Sequence, residues 1–198
     1  PTLSEEDWEK IFAARRAVPN RDPDDLYAIG EVDAPVVMTE FADYRCSYCG
    51  QFTLQVLPEL LPLVEDGTLR IEFRDFPIFQ EQSIDAAVAA RAAAQQNRFL
   101  DYHVAIYEYQ FVDGGTDLSE ATFVRIAGEL GVPDIERFTT DLSNQTLIDE
   151  VNASYQVSME LLGRASTPQF VINDEYVGGS PPAETFLEVI DQELAKVQ

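Results

Sequence analysis

The chain has no apolar run approaching the roughly 20 residues that a membrane-spanning helix requires. It is also poor in positive charge: 13 Lys and Arg stand against 36 Asp and Glu, for a formal net charge of −23 over 198 residues. Nucleic acid and anionic membrane are repelled at long range by such a chain, so no nucleic-acid partner is expected. A solvated acidic surface accounts for the charge, as does steering of basic or unfolded clients, and composition does not choose between them. His103 is the sole histidine, and Cys46 and Cys49 are the sole cysteines. A zinc site takes about four Cys, His or carboxylate ligands, so this supply argues against one; no metal or other cofactor is expected. There is no internal repeat and no low-complexity segment. The sequence opens Pro1-Thr2-Leu3-Ser4, without an initiator Met or a signal-peptide pattern. The expectation is a mature or shortened form, with a leader or membrane anchor before Pro1.

The two cysteines are separated only by Ser47 and Tyr48. A strand-like run, Val36-Val37-Met38-Thr39-Glu40-Phe41, leads into them, and a helix-like run from Ser47 to about Leu63 leads out. A dithiol at a helix N-terminus meets free N–H groups and the positive end of the helix dipole, which favour a thiolate. Cys46 is therefore expected to be the exposed nucleophile and Cys49, one turn in, the less exposed resolving thiol. A fall of the Cys46 pKa from about 8.5 to about 4.5 would represent roughly 5 kcal/mol and would make the disulfide a stronger oxidant. A purely structural disulfide is the weaker alternative, because so short a loop gains little chain entropy on closure. Both cysteines sitting in one redox motif suits an oxidising compartment, although many cytosolic proteins are equally poor in cysteine.

Length is ample for a full core. Ser4 to Val18 reads as an N-capped amphipathic helix carrying Trp8, Ile11 and Phe12, followed by a polar connector from Asn20 to Asp25. Leu26 to Ile29 and Val36 to Phe41 read as strands, and the helix from Ser47 should kink or end in stages at Pro58 and Pro62. Leu69 to Phe76 alternates as a strand. Helices are then expected over Ser83–Gln96, around Phe99 to Tyr107, over Leu118–Leu130 with a Ser119 cap, and over Pro133–Leu142 and Gln145–Leu162. Strands return at Gln169–Ile172 and Glu175–Val177 around a two-residue Asn173-Asp174 turn, before a last helix over Pro182–Lys196. The order is β-β-α-β, a helical block, then β-β-α. It predicts an α/β chain divided into a helical extension (1–25), a sheet domain (26–81 and 163–198) and a helical insertion (82–162).

Three stretches carry a family resemblance: Thr39 to Cys49, Ala86 to Phe99, and Ser166-Thr167-Pro168-Gln169-Phe170-Val171-Ile172-Asn173. The chain resembles the DsbA-like thiol–disulfide oxidoreductases, which have a thioredoxin-like fold with an all-helical insertion subdomain. The resemblance runs from about Tyr27 to Val189. Members often carry Pro directly after the first Cys; here Ser47 stands there, and the intervening pair tunes the potential. The resemblance implies a cis peptide bond before Pro168, opposite the dithiol, with the Thr167 backbone free to pair with an extended substrate and its side chain facing the sulfurs. It also implies that Glu40 is buried beneath the site and accepts the Cys49 proton; strand pattern alone fits a rim carboxylate as well. Tyr44, Tyr48 and Phe52 are candidates for an apolar client surface, with ordinary packing the alternative for Phe52, and Tyr48 is taken as a substrate contact. His103 has core-like spacing and reads as a packed or surface histidine. Asp43 and Arg45 are expected to shift the nearby thiol in opposite directions.

The expected activity is extracytoplasmic (periplasmic, cell-envelope or secreted) disulfide exchange with protein thiols and disulfides, in the oxidising direction and with a redox-recycling partner. Two alternatives stand beside it: a reductase or isomerase kept reduced by a partner, and a redox-switched, chaperone-like binding module.

Overall fold

A computed structural model describes residues 4–197. The expected leader before Pro1 and the apolar role given to the Trp8 side chain lie outside the described residues. The sheet is centred on β2 (Val36–Ala42), an apolar run buried along almost its whole length. β2 runs parallel to β3 (Leu69–Asp75) and antiparallel to β4 (Gln169–Ile172). The short β1 (Ala28–Ile29) flanks β3 and β5 (Glu175–Gly178) flanks β4, giving the order β1-β3-β2-β4-β5. The β4–β5 turn is the expected two residues, since Ile172 pairs with Glu175.

Helix α1 (Glu5–Arg16) starts at a reciprocal capping box between Ser4 and Asp7. The helix after the dithiol is α2 (Ser47–Gln51), a π-helical turn over Phe52–Val56, and α3 (Leu57–Glu65). The expected staging at Pro58 and Pro62 takes a different form. Pro58 has no N–H for an i−4 bond, and just before it Leu57 N–H reaches back to the Phe52 carbonyl, five residues away. Pro62 sits inside α3 without ending it.

Five helices lie between β3 and β4: α4 (Glu81–Ala94), α5 (Phe99–Phe111), α6 (Glu120–Glu129), α7 (Ile135–Asp141) and α8 (Gln145–Leu162). The alanines of α4 are buried almost all round, because small side chains let α5, α7 and α8 approach it from several sides. Ser119 precedes α6 but makes no side-chain cap; its hydroxyl donates to Asp117 instead. α9 (Ala183–Val197) closes the chain against the sheet.

β2 side chains divide between two cores. Val36 and Met38 join the large one, with Cys49, Phe52, Phe170 and Ile172; Phe41 joins Phe76 and Val171 in a smaller one on the other face. Phe52 packs on Phe170 at 4.5 Å and on Phe186 at 5.2 Å, and Phe170 on Phe186 at 4.8 Å. Such ring pairs are worth about 0.5–1.5 kcal/mol each beyond their buried area. They fix the turn that follows the dithiol to β4 and α9. Gly50 is required on the opposite side, where an added Cβ would lie 2.4 Å from the Phe111 ring of α5.

Candidate active site

The dithiol loop leaves β2 at Ala42 and is pinned by Asp43. The Asp43 carboxylate accepts hydrogen bonds from Arg45 N–H (2.7 Å), Phe79 N–H (3.0 Å) and the Ser83 hydroxyl (2.7 Å). Burial raises its pKa, and these bonds oppose the rise. Cys46 N–H donates to the Asp43 carbonyl at 3.0 Å, and the Cys46 carbonyl accepts Gly50 N–H at 3.1 Å. Cys46 thus stands at the N-cap of α2.

The two thiols differ sharply. Both are reduced here. Cys46 is 7% exposed, more covered than the sequence suggested, and Cys49 is fully buried. The Cys46 pKa falls from 9.0 to about 6; the hydrogen bond from the Cys49 thiol is the largest cause, burial opposes it, and Thr167 and the N–H groups of Cys49 and Tyr48 add to the fall. The fall is smaller than expected because the sulfur is substantially desolvated. Asp43 and Arg45, expected to shift the thiol in opposite directions, are not among the main causes. Burial pushes the Cys49 thiol well above the ordinary range, with Cys46 and Glu40 adding to the rise.

Thr167–Pro168 is a cis peptide bond, and Thr167 lies against Cys46, whose Sγ donates to the Thr167 carbonyl at 3.3 Å. The Thr167 hydroxyl is buried with no hydrogen-bond partner among the described residues.

Glu40 sits in mid-β2, in register with Phe73 on one side and Phe170 on the other. It is 0% exposed, which excludes a rim carboxylate, and neither carboxyl oxygen has a hydrogen-bond partner among the described residues. Burial first, and the negative charge of Cys46 second, raise its pKa from 4.5 to about 8.

Of the three aromatic candidates for a client surface, only Tyr48 is exposed, at 61%. Tyr44 and Phe52 are core residues; α5 covers Tyr44, whose ring stacks on Tyr107 at 5.2 Å. Sequence reasoning missed Phe111 and Val112, exposed residues that line a groove with Ser47, Gly50, Gln51 and Leu54 beside the dithiol. It also missed Ser83 and Phe79 as anchors of Asp43, since no local pattern joins residues 40 and 36 positions apart. Among the described residues, no group of three or more His, Cys, Asp or Glu could hold a metal ion, and no helix is long and apolar enough to cross a membrane.

A dithiol with one activated and one buried sulfur, set between a central strand and a proline loop, defines a protein of thiol–disulfide exchange. Comparison with known proteins agrees. The thioredoxin family model matches residues 22–192. A probable disulfide bond formation protein D of Bacillus cereus is 27% identical over 173 residues, covering 85% of this chain and 79% of the relative. Among solved structures, alpha-DsbA1 of Wolbachia pipientis superposes with a TM-score of 0.78 at 23% identity, over 93% of this chain and 96% of that one. A thioredoxin-like oxidoreductase from Silicibacter pomeroyi DSS-3 gives a TM-score of 0.68 at 29% identity, over 86% and 96%. The chain belongs to the thioredoxin family, as a DsbA-like thiol–disulfide oxidoreductase with a thioredoxin-like fold and a helical insertion.

Proposed function

We propose that the chain oxidises protein thiols outside the cytoplasm. In the oxidised protein Cys46 and Cys49 share a disulfide. A client thiolate attacks Cys46 Sγ, the bond to Cys49 breaks, and Cys49 leaves and takes up a proton. A second client thiolate then attacks the client sulfur of the mixed disulfide, and Cys46 leaves as a thiolate. The client is oxidised by two electrons and the dithiol reduced by two, so a recycling partner must remove those electrons. Glu40, protonated up to about pH 8 and beneath the site, is the group that gives Cys49 its proton in this direction and accepts it in reverse. Tyr48 and the Thr167 carbonyl edge offer contacts to an extended client segment.

The observation that carries the direction is the low pKa of Cys46, about 6, beside a Cys49 that burial holds neutral. Stabilising the leaving thiolate stabilises the reduced dithiol and so raises the oxidising power of the disulfide. The extracytoplasmic setting is supported by cysteine confined to the redox motif. The division into residues 1–25, a sheet domain of 26–81 and 163–198, and an insertion of 82–162 is proposed with it.

Equilibration with glutathione buffers tests the direction. A potential above about −200 mV fits an oxidant, and one near the −270 mV of thioredoxin assigns a reductase. A brief iodoacetamide pulse at mildly acidic pH should label Cys46 and spare Cys49. Cys49→Ser should accumulate mixed disulfides with clients and Cys46→Ser should not; equal trapping by both overturns the division of roles.

A further inference from the structure

Helix α5 meets the dithiol loop along a single stripe. His103, Tyr107 and Gln110 recur at i, i+4 and i+7, which places them on one helix face. The Tyr107 hydroxyl donates to the Asp43 carbonyl at 3.1 Å, and Gln110 Nε2 donates to the Tyr44 carbonyl at 2.9 Å. His103 uses both ring nitrogens. Nδ1 is hydrogen-bonded to the Tyr44 hydroxyl at 2.9 Å and Nε2 to the Thr53 hydroxyl at 3.2 Å. Tyr44 lies two residues before Cys46, and Thr53 four residues after Cys49, in the π-helical turn. One imidazole therefore bridges the segment entering the dithiol and the turn leaving it.

The ring is buried among Phe73 at 4.9 Å, Tyr107 at 5.2 Å, Tyr44 at 5.4 Å and Phe99 at 5.6 Å. An apolar side chain would satisfy that packing but would leave both buried hydroxyls without their histidine partner. A neutral imidazole has one N–H donor and one acceptor nitrogen at fixed separation, so one hydroxyl accepts and the other donates. Burial holds the His103 pKa down at about 3, which keeps the ring neutral through the physiological range.

We propose that His103 is a positioning residue for the dithiol: its two hydrogen bonds clamp the flanks of Cys46-Ser47-Tyr48-Cys49 and so keep the Tyr48 and Cys49 N–H groups aimed at the Cys46 sulfur. The proposal rests on Cys46 being the activated thiol. It makes His103, beside Tyr107 and Gln110 on the same face of α5, a link from the helical block to the redox poise of the dithiol.

The test removes the two hydroxyl arms while keeping the shapes of their side chains, with Tyr44→Phe, Thr53→Val and the double variant. His103→Asn and His103→Gln then each preserve reach to only one arm. Cys46 ionisation is followed by thiolate absorbance, and the dithiol equilibrium by glutathione titration. In the double variant the acid dissociation constant of Cys46 is expected to fall about tenfold, and the equilibrium to shift about tenfold toward the disulfide, which corresponds to about 30 mV. Each single variant should show part of that change. A purely structural histidine would lower thermal stability and leave both readings in place. Folded variants whose two constants stay within about twofold of the parent overturn the clamp. If the double variant does not fold, Tyr44→Phe, which loses one oxygen, reads the same two constants. A parent Cys46 that titrates as an ordinary thiol overturns the functional reading instead.

Discussion

Glu40 and Glu72 lie on neighbouring strands, one register step apart, and both are 0% exposed, yet their surroundings are opposite. Glu72 accepts from Arg70 Nε at 3.1 Å, Arg74 at 2.9 Å, and the backbone N–H groups of Asn20 and Arg21 at 3.0 and 2.9 Å. Arg74 also pairs with Asp25 at 2.9 Å. Glu40, on the dithiol face, has no such partner among the described residues. A buried carboxylate surrounded by donors anchors the connector at 20–25 to the back of the sheet. A buried carboxyl without donors is a poor anchor and a good proton carrier, because burial brings its titration into the neutral range.

That contrast breaks first at Glu72. Glu72→Gln leaves the buried Arg70 guanidinium without its counter-charge and Arg74 with Asp25 alone, and the chain should lose about 3–5 kcal/mol in urea denaturation. Glu40→Gln should lose nothing by the same measurement and should gain stability at pH 8. A Glu40→Gln loss as large as that of Glu72→Gln would show that both carboxylates are structural.

The second effect is a pH dependence. Glu40 titrates at 4.5 when unfolded and at about 8 when folded. The folded protein therefore holds the proton longer, and stability is lost as pH rises between those values. Cys46 is shifted the other way, from 9.0 to about 6, so it contributes stability only as pH rises above about 6. Between pH 4.5 and 6 the Glu40 contribution stands clear of Cys46. Reduced parent protein should lose about 1.5 kcal/mol relative to Glu40→Gln across that window. Parallel curves for the two proteins would mean that Glu40 ionises normally.

A third, smaller effect is kinetic. Glu40→Gln should slow disulfide exchange about tenfold near neutral pH and leave Cys46 alkylation nearly unchanged, as stopped-flow mixing with a model dithiol would show. Smallest of all is the exposed Arg125–Glu129 pair of α6, at 2.8 Å. Arg125→Ala should leave the denaturation midpoint where it was, because a solvated i, i+4 pair contributes little.

Much of this molecule is legible in its sequence, and the exceptions have physical causes. The strands, the order of elements and the dithiol follow from local apolar patterns and from two cysteines in a single short motif. Alternation in Leu69 to Asp75 located β3 but concealed that Arg70 and Glu72 are buried, since the cover comes from residues 20–25, far away in sequence. Tyr44 looked like a surface aromatic because it adjoins the reactive cysteine; the helix that buries it begins more than fifty residues later. Phe111 and Val112 carry no signal until α2 and α5 are set side by side. Short-range chemistry could be read in advance, and whatever depends on contact with the helical block could not.

The central position of β2 also governs how the protein is made. One edge of β2 is taken by β3 soon after it leaves the ribosome, but the other must wait for β4, so that Met38 pairs with Ile172 only after the seven helices α2 to α8 have been synthesised. At translation rates of about 5–20 residues per second, that delay is on the order of ten seconds. Such distant closure is intrinsically slow even in the finished chain. Until it happens, Thr167 is absent from Cys46 and Phe170 from Glu40, so the nascent dithiol keeps the Cys49 thiol and the helix N–H groups around Cys46 but lacks its contact with the proline loop. The arrival of the penultimate strand completes the dithiol's surroundings.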